Sequence, residues 1–359
     1  MQFNMSTNIT FLYEHYFDLN ESVTIPPNFT QPLLPTWIRT VALPAFFGLV
    51  CLTGVIGNSL ALCVFLRFSN TKKVPNVYIL NLASADLLFM IGIPFLTYQY
   101  AAGEWIFGEL MCKIVMAIDG MNMYTGIFTL TAMSVDRYFA IVHAVWSMRH
   151  RTLQTARMAC VFLWVFATLV TLPLWIYSQK LVDKDRRLCD VGWPEKNFPV
   201  EDLFILYSFV ISFILPLVII SACYVAIMAF LAKGSKAQKK KRRSVKLGRV
   251  GVMVLLAVAL FVVCWLPFWT VQLVMLGQKG RDPTRALAIA YYSSLCMSYA
   301  NSSLNPIVYT FSRRNFRQDL AVTFCGHRGD RRCNGDSKKT STLYSHDKLE
   351  RTIENSNDL

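Results

Sequence analysis

Charged side chains are scarce in this sequence. They account for 16% of its 359 residues, whereas 54% of the residues are hydrophobic. An ordinary soluble domain carries about 25% charged residues, and disordered chains, collagens and small disulfide-rich domains are far less apolar. The composition therefore excludes these classes and indicates a membrane protein.

Catalytic and transport motifs are also missing. The sequence contains no HExxH, GxSxG or GxxxxGK[ST] pattern, and its five histidines are scattered, so nothing in it predicts an enzyme. It also lacks the repeated broken helices and rings of charge that are typical of transporters and channels. We therefore expect a membrane protein that belongs to none of these three classes.

Charged residues are rarest in seven long apolar segments of the sequence. Each segment is long enough to cross about 30 Å of hydrocarbon as a helix. They cover residues 41–66, 77–98, 114–141, 158–177, 203–231, 250–276 and 286–311. Several contain proline or glycine, and their apolar residues do not alternate, which disfavours a transmembrane β-barrel. The predicted fold is an all-α membrane protein, a bundle of seven transmembrane helices over residues 41–311.

The basic residues lie in short connections between these segments. Residues 233–249, the fifth connection, contain nine Lys and Arg and no acidic residue, and the first and third connections are also basic. Such loops face the cytoplasm. We expect a multi-pass plasma-membrane protein with its N-terminus outside and its C-terminus inside. The net charge of +14 is thus a feature of membrane topology and does not indicate nucleic acid binding.

The predicted outer side carries two kinds of covalent modification. Residues 1–40 are expected to form a glycosylated extracellular tail, because they contain four acceptor sequons, at Asn4, Asn8, Asn20 and Asn28. Of ten cysteines, only Cys112 and Cys189 fall on this oxidising side. Two thiols there predict one disulfide bond.

The segment after the seventh span predicts a short amphipathic eighth helix over residues 312–325. Phe316, Leu320 and Phe324 recur every four residues among arginines, a pattern typical of a helix on the inner membrane surface. Cys325 is either a palmitoylation site or a plain free thiol. Residues 326–359 are polar and rich in Ser and Thr, and we expect a disordered cytoplasmic tail.

Ionisable residues are rare inside the spans, so each is a candidate for function. They are Asp86, Asp119 and the pair Asp136 and Arg137. Asp119 lies seven residues, about 10 Å of helix, below Cys112 and on nearly the same face. This spacing predicts a carboxylate at the floor of an outward-facing cavity.

Each predicted span also carries a short motif. In chain order these are Gly57-Asn58, Asn81 to Asp86, Asp136-Arg137-Tyr138, Trp164, Pro216, Cys264 to Phe268 and Asn305 to Tyr309. Over residues 41–324 the chain thereby resembles the rhodopsin-type (class A) G protein-coupled receptors. Within them it resembles the somatostatin, allatostatin-C, opioid and melanin-concentrating-hormone receptors, through Val77 to Leu82, Asp119, Asn122-Met123, Ser134 to Tyr138, Gln272-Leu273 and Tyr299 to Ser302.

The resemblance implies a receptor for a basic, cyclic neuropeptide. The ligand-binding residues that it implies are Asp119, Met123, Trp265, Gln272, Tyr292 and Tyr299. Asp119 would bind a basic group of the ligand; the alternative is a carboxylate held by the Tyr299 hydroxyl without a role in binding. A biogenic-amine receptor is the alternative function, although Ser208 and Ser212 do not form a close serine pair at the outer end of the fifth span. The seventh span has no lysine for retinal, which disfavours a light sensor.

The resemblance also implies a polar cluster and a coupling switch. The cluster consists of Asp86, Asn58, Asn122, Asn301, Ser302 and Asn305, and would hold a sodium ion as an allosteric modulator; the alternative is a protonated Asp86 without an ion. Gly126 stands where relatives often have a hydroxyl, which weakens this expectation. No other metal and no cofactor is expected.

The switch consists of Asp136, Arg137, Tyr138 and Tyr309, with release of Arg137 toward a G protein of the inhibitory Gi/o class. The alternative is an Arg137 that only reaches toward the membrane surface. His143 is followed by Ala144 in place of the usual proline. The basic fifth connection would contact lipids and the G protein, and the Ser/Thr-rich tail would bind arrestin and receptor kinases.

Overall fold

The computed structural model describes residues 35–67, 73–183, 186–194, 199–233, 249–279 and 284–312. The predicted glycosylation sites Asn4, Asn8, Asn20 and Asn28 lie outside these residues, as does the predicted eighth helix (312–325) except for Ser312, its first residue. Cys325, the tail beyond it and the side chain of Tyr309 also lie outside.

The described chain is helical apart from one β-hairpin. Its elements are α1 (Leu43–Arg67, preceded by a π-helical turn, Ile38–Ala42), α2 (Val74–Ala102), α3 (Gly108–Val142), α4 (Ala144–His150), α5 (Leu153–Val170), α6 (Leu172–Tyr177), β1 (Ser178–Asp183), β2 (Arg186–Val191), α7 (Val200–Phe209), a second π-helical turn (Val210–Ile214), α8 (Leu215–Ala232), α9 (Arg249–Gly277) and α10 (Arg285–Ser312). The seven predicted spans correspond to α1, α2, α3, α5 with α6, α7 to α8, α9 and α10.

Five of these spans are long and apolar enough to cross a membrane on composition alone: the first, second, fourth, fifth and sixth. The third and seventh spans are long enough, at 35 and 28 residues, but they are more polar. Their polar side chains are buried inside the bundle, among them Asn122 and Ser134 on α3 and Ser298 and Asn305 on α10. These two helices therefore supply the polar interior of the bundle.

Close packing joins the first and seventh spans. A Cβ atom placed on Gly57 would lie 2.9 Å from Cγ and 3.1 Å from Cβ of Pro306, so only glycine lets the two backbones approach this closely. Pro306 lies inside α10, as Pro94 and Pro267 lie inside α2 and α9. Each of these prolines removes a hydrogen bond from its helix and favours a kink.

The fourth connection folds as an antiparallel hairpin, in which Lys180 is opposite Cys189. The sequence analysis predicted only helices and did not predict these strands. The predicted disulfide is confirmed: Cys112 on α3 is bonded to Cys189 on β2. Lys113 also holds the hairpin, because its Nζ donates to the carbonyl oxygens of Ile176 at 3.1 Å and Ser178 at 2.7 Å. We call this side of the bundle the hairpin end.

Gln99 on α2 adds a third connection to the hairpin. Its Nε2 donates to the carbonyl oxygen of Cys189 at 3.1 Å, and its Oε1 accepts from the Cys189 backbone N–H at 2.7 Å. Both groups of this buried amide are therefore satisfied. Together the disulfide, Lys113 and Gln99 fix the hairpin against the second and third spans.

Candidate functional site

A cavity of about 210 Å³ opens at the hairpin end of the bundle. Five of the six predicted ligand-binding residues line it: Asp119, Met123, Trp265, Gln272 and Tyr299. They come from the third, sixth and seventh spans, and Cys189 to Val191 of the hairpin complete the wall. Residues more than 100 positions apart in the sequence thus meet around one space.

Tyr292 is not among the residues that line this cavity. It is buried and packs edge to face on Tyr100 of α2, with ring centroids 6.3 Å apart. On α10 the cavity wall is instead formed by Tyr291, Leu295 and Tyr299, which are spaced four residues apart and so share one face of the helix. Tyr292 supports the second span, and its neighbour Tyr291 lines the cavity.

Asp119 lies on the wall of the cavity and accepts a hydrogen bond from the Tyr299 hydroxyl. Tyr299 is in turn fixed by aromatic packing, with Phe89 at 5.0 Å and Phe47 at 5.2 Å between ring centroids. The described lining residues include no lysine, arginine or histidine. Asp119 therefore has one neutral hydrogen-bond donor and no cation on the described wall.

Two further acidic residues line the cavity, Asp190 on β2 and Glu201 on α7. Neither residue was predicted from the sequence, because both lie in or next to the fourth connection, whose mixture of acidic and basic residues is typical of an exposed outer loop. The signal that could have found Asp190 is its position directly after the disulfide-bonded Cys189. The wall also offers unpaired polar atoms among the described residues: Nε1 of Trp265 and of Trp269, and Oε1 of Gln272.

The serines of the fifth span are not arranged as a pair. Ser208 lines the cavity, but its Oγ accepts a hydrogen bond from the Tyr124 hydroxyl at 2.7 Å. Ser212 is fully buried and is not a lining residue. The wall therefore presents one serine there, and that hydroxyl already has a partner.

The predicted polar cluster is assembled between the first, second, third and seventh spans. Asn305 Nδ2 donates to Asp86 Oδ2 at 2.9 Å, and Asn122 Nδ2 donates to Ser302 Oγ at 2.9 Å. Asn58 Nδ2 donates to the carbonyl oxygens of Gly54 at 3.0 Å and Ser302 at 3.1 Å. The buried cluster thus cross-links four helices through side-chain amides.

The donor set of this cluster fits a hard cation. The Oδ1 atoms of Asn58, Asn122 and Asn301 are buried without a partner in the described structure, and all available ligand atoms are oxygens, as sodium requires. Gly126 offers no side-chain oxygen, and a Cβ atom placed there would find only Leu82 Cδ1, at 3.9 Å. A side chain could therefore begin at this position without a close contact at Cβ.

The opposite end of the bundle carries the predicted switch. Asp136 Oδ2 accepts from Arg137, at 2.5 Å from Nη2 and 3.1 Å from Nε. Arg151, just after α4, binds the same carboxylate, with Nε 2.5 Å from Oδ1 and Nη2 2.9 Å from Oδ2. The Tyr138 hydroxyl lies 3.0 Å from Nε2 of His143. Arg151 belongs to the basic third connection, from which only the membrane topology was predicted; its pairing with Asp136 was not.

Comparison with known proteins agrees with this architecture. Residues 57–309 match the family model of the seven-transmembrane receptors of the rhodopsin family. The chain therefore belongs to this family, the class A G protein-coupled receptors, and it is a receptor rather than an enzyme.

Its relatives include several somatostatin receptors. It is 40% identical over 300 residues to somatostatin receptor type 5 of Mus musculus, covering 83% of this chain and 82% of the relative. It is 38% identical over 317 residues to type 2 of the same species (86% and 84%) and 41% identical over 287 residues to type 3 of Homo sapiens (78% and 67%). The resemblance to the somatostatin receptor group is confirmed.

Proposed function

We propose that the chain is a cell-surface receptor for a basic, disulfide-cyclised neuropeptide and that it signals through inhibitory Gi/o proteins. The observation that carries the proposal is Asp119, a carboxylate on the cavity wall without a cation among the described lining residues. The somatostatin receptors among its relatives are named for a peptide ligand. A basic side chain of such a peptide would bind Asp119.

Burial decides how much this contact would contribute. A desolvated carboxylate gains a charge-assisted hydrogen bond from Lys or Arg, which is stronger than the neutral bond from Tyr299. Removing one partner of such a pair costs about 3–5 kcal/mol, which corresponds to at least 100-fold in affinity. A cyclic peptide loses less conformational freedom in the cavity than a linear one.

The proposed signal runs from the cavity to the switch along two kinked helices. Trp265 lies two residues before Pro267 on α9, and Asn305 and Pro306 lie on α10 next to Asp86. Ligand contact with Trp265 would change the kink in α9, and the ends of α9 and α10 far from the hairpin would swing outward. Arg137 would then leave Asp136 and bind the G protein.

Sodium would stabilise the resting arrangement. The residues that would hold it are Asp86, Asn58, Asn122, Asn301, Ser302 and Asn305. The ion supplies a positive charge that neutralises Asp86 while the surrounding amides stay in place. Asn122 would keep the third span bound to the seventh, and Asn305 would keep the seventh bound to the second, until the ligand binds.

The proposed orientation places the hairpin end outside the cell. The glycosylated tail with Asn4, Asn8, Asn20 and Asn28 would lie on that side. The Gi/o protein, arrestin and receptor kinases would bind the opposite face and the Ser/Thr-rich tail, with Cys325 carrying the palmitate. A biogenic amine is not favoured as the ligand, because Ser208 already pairs with Tyr124.

The test compares Asp119→Asn with Tyr299→Phe in cells that express the receptor. A panel of basic disulfide-cyclised peptides, headed by synthetic somatostatin, and a panel of biogenic amines are applied, and cyclic AMP is measured with and without pertussis toxin. We expect a peptide to lower cyclic AMP in a toxin-sensitive manner. Asp119→Asn should reduce its potency at least about tenfold, and Tyr299→Phe, which keeps the charge, should reduce it less.

A neutral analogue of the active peptide distinguishes a direct contact between the ligand and Asp119 from a purely structural role of Asp119. On the native receptor it should lose potency, and on Asp119→Asn it should lose little more, because the two changes remove the same contact. If the two losses add fully, or if Tyr299→Phe is as harmful as Asp119→Asn, the carboxylate is held only by Tyr299. A response to amines alone would refute the peptide assignment, and raised cyclic AMP would refute Gi/o coupling.

A further inference from the structure

Two further acidic residues, Asp190 and Glu201, line the same cavity and are called the second acidic region. Asp190 follows Cys189 on β2, and Glu201 lies in the first turn of α7. Asp190 is 4% exposed, and its Oδ1 accepts a hydrogen bond from the Val191 backbone N–H at 2.7 Å. The disulfide joins its neighbour Cys189 to Cys112, seven residues from Asp119 on the third span, so the hairpin carries Asp190 on a different part of the cavity wall from Asp119.

Among the described residues, Glu201 forms an ion pair with a single cation, Lys279. Lys279, at the end of the sixth span, has its Nζ 3.6 Å from Glu201 Oε2 and also binds Asp202 Oδ1 more closely. The Lys279 side chain is 39% exposed, whereas that of Glu201 is 13% exposed. Lys279 does not line the cavity. Glu201 thus shares a hydrated ammonium with Asp202 and presents its carboxylate to the cavity as well.

The cavity wall also offers polar atoms that lack partners among the described residues. Trp269 is 3% exposed and lines the cavity, and its Nε1–H has no acceptor among the described residues. Oε1 of Gln272, one turn further along α9, is a buried acceptor without a donor. An indole N–H and an amide oxygen suit the backbone carbonyl and N–H groups of a peptide. These atoms indicate a ligand that extends from one acidic region to the other.

We propose that Asp190 and Glu201 form a second cation-binding subsite, so that the receptor selects peptides with two basic groups. One group binds Asp119, and the other displaces Lys279 from Glu201. This inference rests on the proposed peptide function and adds a specificity determinant to it. The ligand's second group is a Lys or Arg side chain or a free N-terminal amine.

The probe is the most potent disulfide-cyclised peptide of the panel above that carries two basic groups. Each basic group is neutralised in turn, by norleucine for Lys, citrulline for Arg or acetylation of the N-terminus. The receptor variants are Glu201→Gln, Asp190→Asn and Asp119→Asn. Asp202→Asn is the matched control, because it removes an adjacent acid that binds Lys279 but does not line the cavity. Surface expression is measured for every variant.

For the dibasic peptide we expect Glu201→Gln and Asp190→Asn to lower potency about tenfold each, and Asp202→Asn to change it less than about threefold. The analogue that lacks the second basic group should be insensitive to Glu201→Gln and still sensitive to Asp119→Asn. Lys279→Met should raise potency for the dibasic peptide about threefold or more, because it removes the competing cation. Misfolding of a variant could not produce this gain in potency.

Several results would overturn the subsite. They are equal losses for the dibasic peptide and its singly neutralised analogue on Glu201→Gln, a loss on Asp202→Asn as large as on Glu201→Gln, or no gain on Lys279→Met. If these occur while Asp119→Asn still discriminates by ligand charge, the peptide function stands and only the second subsite is wrong. If no peptide activates the native receptor, the peptide function and the subsite are both refuted.

Discussion

Replacing Gly57 with alanine tests how closely the first and seventh spans pack. The new methyl group would lie 2.9 Å from Cγ and 3.1 Å from Cβ of Pro306, closer than carbon atoms approach without displacement. The pyrrolidine ring is closed onto the α10 backbone nitrogen and cannot rotate away, so the helices themselves must separate. Such overpacking costs about 1–3 kcal/mol.

Gly48 is the matched control, because it lies on the same helix and an added Cβ atom would find nothing within 4 Å. Gly→Ala inside a helix gains up to about 1 kcal/mol from the backbone, and this gain is common to both variants. The difference between them therefore isolates the packing cost of about 1–3 kcal/mol. Gly54→Ala should fall between the two, because its methyl meets the flexible end of Met90.

The assay is the apparent melting temperature of the purified receptor in detergent, at one scan rate because unfolding is irreversible. At about 2–4 °C per kcal/mol, Gly57→Ala should melt about 2–12 °C below Gly48→Ala. Asn305, adjacent to Pro306, binds Asp86, so Gly57→Ala should also weaken any effect of sodium on melting. Indistinguishable melting of the two alanine variants would refute the close approach of these helices.

Three further predictions concern the switch, the hairpin and the polar cluster. Arg151→Met should lower ligand-independent G protein activation about two- to tenfold, because Asp136 then binds Arg137 without a competing cation, whereas Arg149→Met on α4 should not; unchanged or raised basal activity would contradict this. Cys112→Ser and Cys189→Ser should reduce radioligand binding equally, with the double variant little worse; unequal effects would argue against a shared role. Gly126→Ser should strengthen the inhibition of agonist binding by sodium, because a hydroxyl adds an oxygen ligand; weaker inhibition would place the ion elsewhere.

The spans could be predicted from the sequence because hydrophobicity is a local property. The disulfide followed from topology, since only Cys112 and Cys189 fall on the predicted outer side. The hairpin could not be predicted, because its strands mix charges and owe their pairing to α3 and Gln99. Arg151 could be assigned to a basic loop from the sequence. Its pairing with Asp136 depends on the path of α4, which is a feature of the tertiary structure.

The residues that line the cavity could likewise be predicted only where a pattern within one helix determines them, and not where packing between helices does. Asp119 was placed by its distance from Cys112 along one helix, which the sequence contains. Tyr292 was predicted because it lies near the outer end of the seventh span, a position that it shares with Tyr291. The side of α10 that faces the cavity is decided by packing against Tyr100 and other neighbours, and no local pattern encodes that choice.

The π-helical turn at Val210–Ile214 divides the fifth span into two halves. The side chains of the second half are rotated about the helix axis relative to those of the first half. In it the backbone N–H of Leu215 bonds to the carbonyl of Val210, five residues back, which adds one residue to the turn and rotates the half that follows by about 100°. The half before it presents Glu201 and Ser208 to the cavity, and the half after it buries Tyr224 beside the sixth span. Inserting or deleting one residue at this turn would rotate the half before it relative to the half after it. A different set of side chains would then meet the ligand, while the half after the turn would be unchanged. Ligand selectivity could thus evolve in this helix separately from the surface that transmits the signal.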